Sequence, residues 1–150
     1  MADYILNHVI VDGTRKQIDN LLVAHFRKLS GEELRHRPFT HYDFLWQDII
    51  PMPEEVATSR DEDKIRNWQL YNWSCFGTGK EVTETNFGNR GTLNFRFPTL
   101  GAEPRPVYTE LVKRFPRLKF NFASISMPNF CLFIGTGIDG KLLYVDDDYD

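Results

Sequence analysis

The stretch Gly77–Lys80 has the residue types and spacing closest to a known chemistry, that of a phosphate-binding loop. The full motif also needs a glycine where Ser74 stands, and a Ser or Thr for magnesium where Glu81 stands. Because both are missing, we interpret Gly77–Lys80 as a structural turn. We predict neither a nucleotide site nor any other cofactor.

Histidine and cysteine offer two other chemistries, metal binding and nucleophilic attack. His36, His41 and Asp43 are close in sequence, but their spacing matches no strong zinc pattern, so we interpret them as part of a solvated loop. Cys75 would need a nearby base and a lowered pKa to act as a nucleophile, and no motif indicates either. We therefore predict that Cys75 fills core space and that the protein is not an enzyme and has no metal site.

Two acidic runs are candidates for contacting a partner, because carboxylates can face a basic channel or patch on another molecule. They consist of Asp61, Glu62, Asp63, Asp146, Asp147 and Asp148. Paired carboxylates can also serve as acid and base in catalysis, but nothing in the sequence puts two of them across a cleft. Acidic runs most often form solvated surfaces.

Four closely spaced aromatic residues form the second candidate binding group: Trp68, Tyr71, Trp73 and Phe76. They can fill the core, they can anchor a protein interface, where Trp and Tyr are enriched among hot spots, or they can stack on single-stranded bases. Arg66 and Lys80 would supply cations for that last role. The sequence leaves these three interpretations open.

The composition favours a cytoplasmic globular protein. The chain has 150 residues, is 41% hydrophobic and 14% aromatic, and carries a formal net charge of -3. That charge gives no global support for nucleic-acid binding. With only two cysteines, no signal peptide and no long apolar run, we expect a single domain over residues 1–150 in the cytoplasm of the cell that makes it, with no membrane contact.

The first half of the chain begins as a β-α unit. Ile5–Val11 is β-branched and apolar and predicts a strand. Thr14 and Gln17 predict a capping box, and apolar residues at helical spacing predict a helix as far as about Leu29. A polar connection should follow, and then a strand over Phe44–Ile50. The segment of about 51–80 reads as an irregular aromatic-rich insertion.

The second half predicts β-α-β-β from its apolar spacing and its turn residues. The predicted elements are strands at Glu81–Thr85 and Thr92–Phe97 joined by a turn at Gly88–Gly91, a helix from Pro104 to Pro116, a strand at Leu118–Phe122, and a hairpin around Asp139 and Gly140. Two β-α halves on an antiparallel sheet predict an α+β fold, a ferredoxin-like sandwich with two helices on one face.

Four motifs in a fixed order resemble one known family. They are N-H-V-x-V-x-G at Asn7–Gly13, IIPMPEE at Ile49–Glu55, N-W-x-x-x-G-T-x-K at Asn72–Lys80, and a strand, P-x-P-V, helix and F-P-x-L-x-F run at Phe95–Phe120. Together they look like the small YubB-like proteins of plasmids and phages. The resemblance implies a ferredoxin-like domain and a mobile-element origin, and it implies no catalytic residue.

Size, the lack of a catalytic constellation and this resemblance lead to one functional expectation. We expect a non-enzymatic phage or plasmid protein that binds and inhibits a host protein or host-defence complex, as anti-CRISPR proteins do. The aromatic group and the acidic runs are the expected contact surface. A single-stranded nucleic-acid-binding module is the alternative, since ferredoxin-like sheets can present aromatic residues to bases. The chain lacks the basic-aromatic sheet motif of such modules, and Phe120 and Phe122 beside Lys119 are only a faint echo of it.

Overall fold

A six-stranded antiparallel sheet organises the molecule, in the strand order β4-β5-β1-β6-β7-β8. The structure is a computed structural model and describes residues 4–37, 42–76, 82, 84–88, 91–126 and 132–144. Its sheet strands are β1 (Tyr4–Asp12), β4 (Glu84–Gly88), β5 (Thr92–Leu100), β6 (Lys119–Ser126), β7 (Leu132–Ile138) and β8 (Lys141–Tyr144). The chain is therefore an α+β protein, as predicted.

Three long central strands show why the sheet has two different faces. Val9 of β1 pairs with Phe95 of β5 and with Phe122 of β6, and all three side chains are buried. Because side chains alternate along a strand, their neighbours point to the opposite face. We call the face that carries Val9 the covered face and the opposite one the open face.

Helix α1 (Arg15–His25) begins as predicted but ends earlier. Thr14 Oγ1 accepts a hydrogen bond from Gln17 N at 3.3 Å, and Ile18 and Leu21 enter the core. The predicted extension to Leu29 is wrong, because Phe26–Lys28 forms β2, which pairs with β3 (Tyr42–Phe44). The Phe26 ring stacks on Phe44 at 4.9 Å between centroids, and this contact favours the extended chain over another helical turn.

The connection between the two β-α halves is more helical than its sequence suggested. Ser30 caps α2 (Gly31–His36) in a capping box with Glu33, although this segment was predicted to be a polar loop. The strand predicted over Phe44–Ile50 is also wrong, since it stops at Phe44 and the chain turns at Trp46. The described part of the supposedly irregular insertion contains α3 (Glu54–Ala57) and α4 (Glu62–Trp73).

Helix α5 (Arg105–Arg114) and the last hairpin match their predictions closely. The apolar side of α5 buries Val107, Tyr108, Leu111 and Val112, as its spacing indicated. Between β7 and β8, Asp139 and Gly140 adopt φ of 53° and 78°, the left-handed pair that a tight hairpin turn requires. Cys131 and Val145, which flank this hairpin in the sequence, lie outside the described residues.

Helices α1 and α5 pack on the covered face, and their apolar side chains join the strand residues in one core cluster. Its centre is aromatic. Phe97 lies between Phe44, Trp46 and Tyr108, and the Tyr108 ring stacks on Phe122 at 4.1 Å. Within the described residues no helix is long and apolar enough to cross a membrane.

Candidate functional site

Helix α4 carries most of the residues that the sequence singled out for partner binding. Asp61 is its N-cap, and the carboxylate Oδ1 accepts a hydrogen bond from Asp63 N at 3.1 Å. Glu62 and Asp63 occupy the first turn, where negative charge is favoured by the helix dipole. All three carboxylates are exposed. They therefore have a helix-starting role and remain accessible to a cation.

The four predicted aromatic residues do not form one surface. Trp73 is 3% exposed and its Nε1 donates to the Ile50 carbonyl at 3.1 Å, so it is a core residue. Trp68 is half-buried and meets Trp73 edge to face, with 5.1 Å between ring centroids. Neither ring is free to stack on a base. The core interpretation holds for Trp73 and in part for Trp68.

Tyr71 and Phe76 differ from the tryptophans and from each other. Tyr71 is 88% exposed on the outer side of α4, the most exposed large apolar residue in the described chain. Phe76 is partly buried, and its backbone pairs with Leu100 at the end of β5 through two hydrogen bonds. Only Tyr71 therefore offers a full ring to a partner. Asp146, Asp147 and Asp148 lie outside the described residues.

The open face of the sheet is a surface that the sequence reasoning did not single out. Across its middle, Arg96 of β5, His8 of β1, Ala123 of β6 and Ile134 of β7 lie in one register row. A second row contains Asn94, Ile10, Asn121, Thr136 and Leu143. His8 Nε2 and Asn94 Oδ1 form a hydrogen bond that links the two rows. No helix covers these rows among the described elements.

An aliphatic patch occupies the β6–β8 half of the open face. Its members are Ile125, Ile134, Ile138 and Leu143, which we call the open-face patch. They are between 41% and 59% exposed and lie close together on neighbouring strands, and an exposed apolar patch is more informative than a single exposed side chain. Contiguous exposed apolar residues with polar neighbours are typical of binding surfaces. The patch is therefore the strongest candidate binding surface in the described chain.

The sequence does hold a signal for this patch, in the strand Leu132–Ile138. Gly135 and Gly137 occupy the covered face there, while Ile134 and Ile138 occupy the open one. A Cβ at Gly137 would overlap Val112 Cγ2 of α5, so glycine is what lets this helix approach the sheet. After the buried Phe133, the strand therefore buries its glycines and exposes its isoleucines, the reverse of ordinary patterning.

Cys75, the side chain considered as a nucleophile, lies in the protein core. Cys75 is buried, and burial, assisted by the nearby Glu103 carboxylate, raises the pKa of its thiol to about 12. A thiol that resists ionisation is a poor nucleophile. This agrees with the prediction that Cys75 fills core space.

The Asp43 region is not the solvated loop that was predicted. Asp43 is buried, and its carboxylate accepts hydrogen bonds from Arg27 at 2.6 Å and from Arg37 at 2.7 Å. Arg27 also binds Glu33, and this pairing lowers the pKa of the Glu33 carboxyl to about 2. His36 ends helix α2. The Asp43 oxygens are thus committed to arginines and unsuited to a metal ion.

Several predicted features fall where the chain is not described. The Gly77–Lys80 turn, His41 and Cys131 are among them. Within the described ranges, no group of three His, Cys, Asp or Glu side chains is arranged to hold a metal ion. Phe120 and Phe122, the proposed base-stacking residues of the sheet, are buried on the covered face, so that part of the nucleic-acid hypothesis is wrong.

No family model matches this chain, and no curated protein or solved structure matches it either. The resemblance to YubB-like proteins therefore remains a prediction, and the site has to be judged from its geometry alone.

Proposed function

We propose that this is a non-enzymatic protein-binding module that docks a folded partner on the open face of its sheet. The observation that carries the proposal is the open-face patch, Ile125, Ile134, Ile138 and Leu143, exposed beside polar neighbours. Full burial of an exposed side chain of this kind is worth about 1.5–3 kcal/mol, and because these four are about half-exposed, covering each is worth about 1 kcal/mol. A partner that covers them gains a hydrophobic centre for its interface.

The dimensions of the open face suit a specific protein interface. The six strands average seven residues, about 23 Å, and together span about 24 Å in width, which gives roughly 550 Å². A stable complex buries about 800 Å² on each partner. The sheet alone provides most of that area without any rearrangement of the helices.

The charges on this face indicate the chemistry of the partner. Lys119 and Lys141 lie at register positions next to the patch, where Lys141 pairs with Ile138 and Lys119 with Asp12. Farther along the sheet Arg96 pairs with Glu84, in a chain with a net charge of -3. An apolar patch beside cations fits a protein surface with an apolar centre and an acidic border. Nucleic acid is disfavoured, because the described aromatic rings of β5 and β6 point to the covered face.

We also propose that the core of the protein is ferredoxin-like. β1, α1, β4, β5, α5 and β6 follow one another as β-α-β-β-α-β, and the order β4-β5-β1-β6 supports that topology. The helices and strands between α1 and β4, and the β7–β8 hairpin, are then additions to it.

The biological setting is proposed from the sequence resemblance alone. A phage or plasmid protein that inhibits a host protein or host-defence complex in the cytoplasm would need a binding surface and no active site. Cys75, a buried free thiol, is compatible with a reducing compartment. The open face gives that hypothesis a specific surface.

The test compares two variants that introduce the same charge on opposite sides of the molecule. Ile134→Glu alters the open-face patch, and Val23→Glu alters an 86% exposed position on α1. Tagged wild-type and variant proteins are incubated with lysate of the natural host, with and without nuclease, and captured proteins are quantified by mass spectrometry. We expect a defined protein that wild type and Val23→Glu retain equally and Ile134→Glu loses by about tenfold or more.

A second patch variant, Leu143→Ser, guards against misfolding of Ile134→Glu, and urea unfolding of both variants checks their stability. A partner that both patch variants retain would contradict the proposal. Capture that disappears with nuclease would favour the nucleic-acid alternative, and capture lost in Tyr71→Ala alone would move the interface to α4.

A further inference from the structure

A narrow apolar groove lies between the Trp46 region, α3 and α4, on a part of the surface distinct from the open face. Its volume is about 280 Å³. Its lining includes Trp46, Met52, Ala57, Ile65, Gln69 and Trp73. Small-molecule sites usually measure about 300–1,000 Å³, so this groove has room for one or two side chains rather than for a large cofactor.

One wall of the groove is fixed by a reciprocal pair of hydrogen bonds. Gln47 Nε2 donates to the Met52 carbonyl at 2.9 Å, and Met52 N donates to Gln47 Oε1 at 3.0 Å. These bonds close the short loop between the two residues. Trp73 Nε1 holds Ile50 of the same loop at 3.1 Å. The wall is thereby set before any ligand arrives, which lowers the entropy cost of binding.

Helix α5 supports the same loop from the other side. Arg114 donates to the Asp48 carbonyl at 2.6 Å and to the Ile49 carbonyl at 2.9 Å. Its guanidinium spans two consecutive carbonyls, as the planar fork of arginine allows. The groove is therefore a built feature of the fold and not a gap between loosely placed segments.

The rim of the groove is acidic. Between positions 54 and 66 the chain carries five carboxylates against three cations. The acidic residues are Glu54, Glu55, Asp61, Glu62 and Asp63. All five are exposed. Helical spacing places three of them on the sides that line the groove: Glu54, three residues before Ala57 on α3, and Asp61 and Glu62, four and three residues before Ile65 at the start of α4. An occupant therefore meets apolar walls at the centre and negative charge at the edge.

We propose that this groove binds an apolar anchor side chain carried on a lysine- or arginine-rich segment of a partner protein. The apolar walls accept the anchor, and the rim carboxylates attract the flanking cations. This site takes a basic segment, whereas the open face suits a partner with an acidic border. The two surfaces are independent, and the groove proposal stands whether or not the open face binds.

Synthetic peptides provide the probe. Short peptides with a central Leu flanked on both sides by Lys are titrated into the intact protein, and matched peptides carry Glu in place of Lys. Trp46 and Trp73 line the groove, so their fluorescence reports occupancy. We expect saturable binding of the Lys-flanked peptide that weakens as salt is added, and binding of the Glu-flanked peptide weaker by about tenfold or more.

Two matched substitutions localise the binding. Ala57→Leu fills the groove from α3, and Ala24→Leu makes the same change at an exposed position of α1. We expect Ala57→Leu to weaken the Lys-flanked peptide by about tenfold and Ala24→Leu to leave it unchanged. Because Ala57 is exposed, neither variant disturbs the core.

Three results would overturn the proposal: no saturable binding of the Lys-flanked peptide, equal binding of both peptides, or equal affinities in the two variants. Sedimentation of the protein alone tests a second copy as the occupant. Self-association that Ala57→Leu abolishes would replace the proposed partner by another copy of this chain. None of these variants alters Ile134 or the rest of the open-face patch. A negative result here would therefore refute the groove proposal and leave the open-face proposal untouched.

Discussion

The two faces of the sheet are built from the same strands and obey different rules. On β7, Phe133 is 6% exposed on the covered face and its neighbour Ile134 is 59% exposed on the open face. The covered face is aromatic, close-packed and joined to the helices, so the fold requires it. Among the described residues, no helix packs on the open face to explain its aliphatic residues. Stability accounts for the covered face, and we propose binding as the explanation of the open face.

Truncation of the covered-face core is the largest expected effect. Phe97 is fully buried among Phe44, Trp46 and Tyr108, so Phe97→Ala should lower the free energy of unfolding by about 3–5 kcal/mol. Ile134→Ala on the open face should cost no more than about 1 kcal/mol. Urea unfolding measures both, and similar costs for the two variants would remove the distinction between the faces.

A smaller change on the covered face tests the close approach of α5 to β7. Gly137→Ala places a methyl group against Val112 and should destabilise the protein by about 1–3 kcal/mol. Gly31→Ala is the matched control, because a Cβ there meets nothing within 4 Å. A Gly137 variant as stable as the Gly31 variant in urea would mean that α5 does not lie this close to the sheet.

Loss of the α4 cap should have a still smaller effect, confined to the insertion. Asp61→Ala removes the acceptor for Asp63 N and should cost about 1 kcal/mol. Asn67→Ala on the exposed side of the same helix is the control, with no cap to lose. If thermal unfolding shows equal stabilities, Asp61 matters only for binding and its helix-starting role is refuted.

The smallest expected effect is a pH dependence of stability that originates at His25. Burial, assisted by Arg114 and opposed by Asp48, lowers the pKa of His25 below its ordinary value of 6.5. The folded protein thus favours the neutral ring, and the unfolded chain binds the proton first. The contribution of neutral His25 to the free energy of unfolding is therefore complete above pH 6.5. It is lost as the pH falls from 6.5 through the lowered pKa of the folded protein.

Replacing the His25 ring removes that dependence. His25→Gln should flatten the change in urea midpoint between about pH 7.5 and 5.5, relative to wild type. His36→Gln, at an exposed position on α2, serves as the control and should keep the wild-type slope. An unchanged slope in His25→Gln would show that His25 is not the group whose protonation destabilises the fold.

Sequence periodicity predicted the framework of the fold well. The alternation in Thr92–Phe97 and Leu118–Phe122 located β5 and β6, and helical spacing after Pro104 located α5. The insertion was harder, because its elements are short and depend on distant contacts. Phe26 is extended because it packs on Phe44, and no local pattern contains that information.

The candidate surfaces were less predictable than the fold. Residue type made Trp73 a candidate binding residue, but the structure buries it against Trp46. Residue type gave no reason to select Ile134, which the structure exposes. Aromatic residues serve cores and interfaces equally well, so their identity does not decide between the two. The glycines of β7 held the relevant signal, since a strand with Gly on one face and Ile on the other inverts the usual pattern.

Photocrosslinking from the open face tests the central claim most directly. A benzophenone amino acid replaces Ile134 in one protein and Val23 in another, and both are irradiated in cells of the natural host. A discrete protein adduct from position 134 and none from position 23 is the predicted result. An adduct from position 23 alone, the same adducts from both positions, or none from position 134 would contradict the claim that the open face docks a partner.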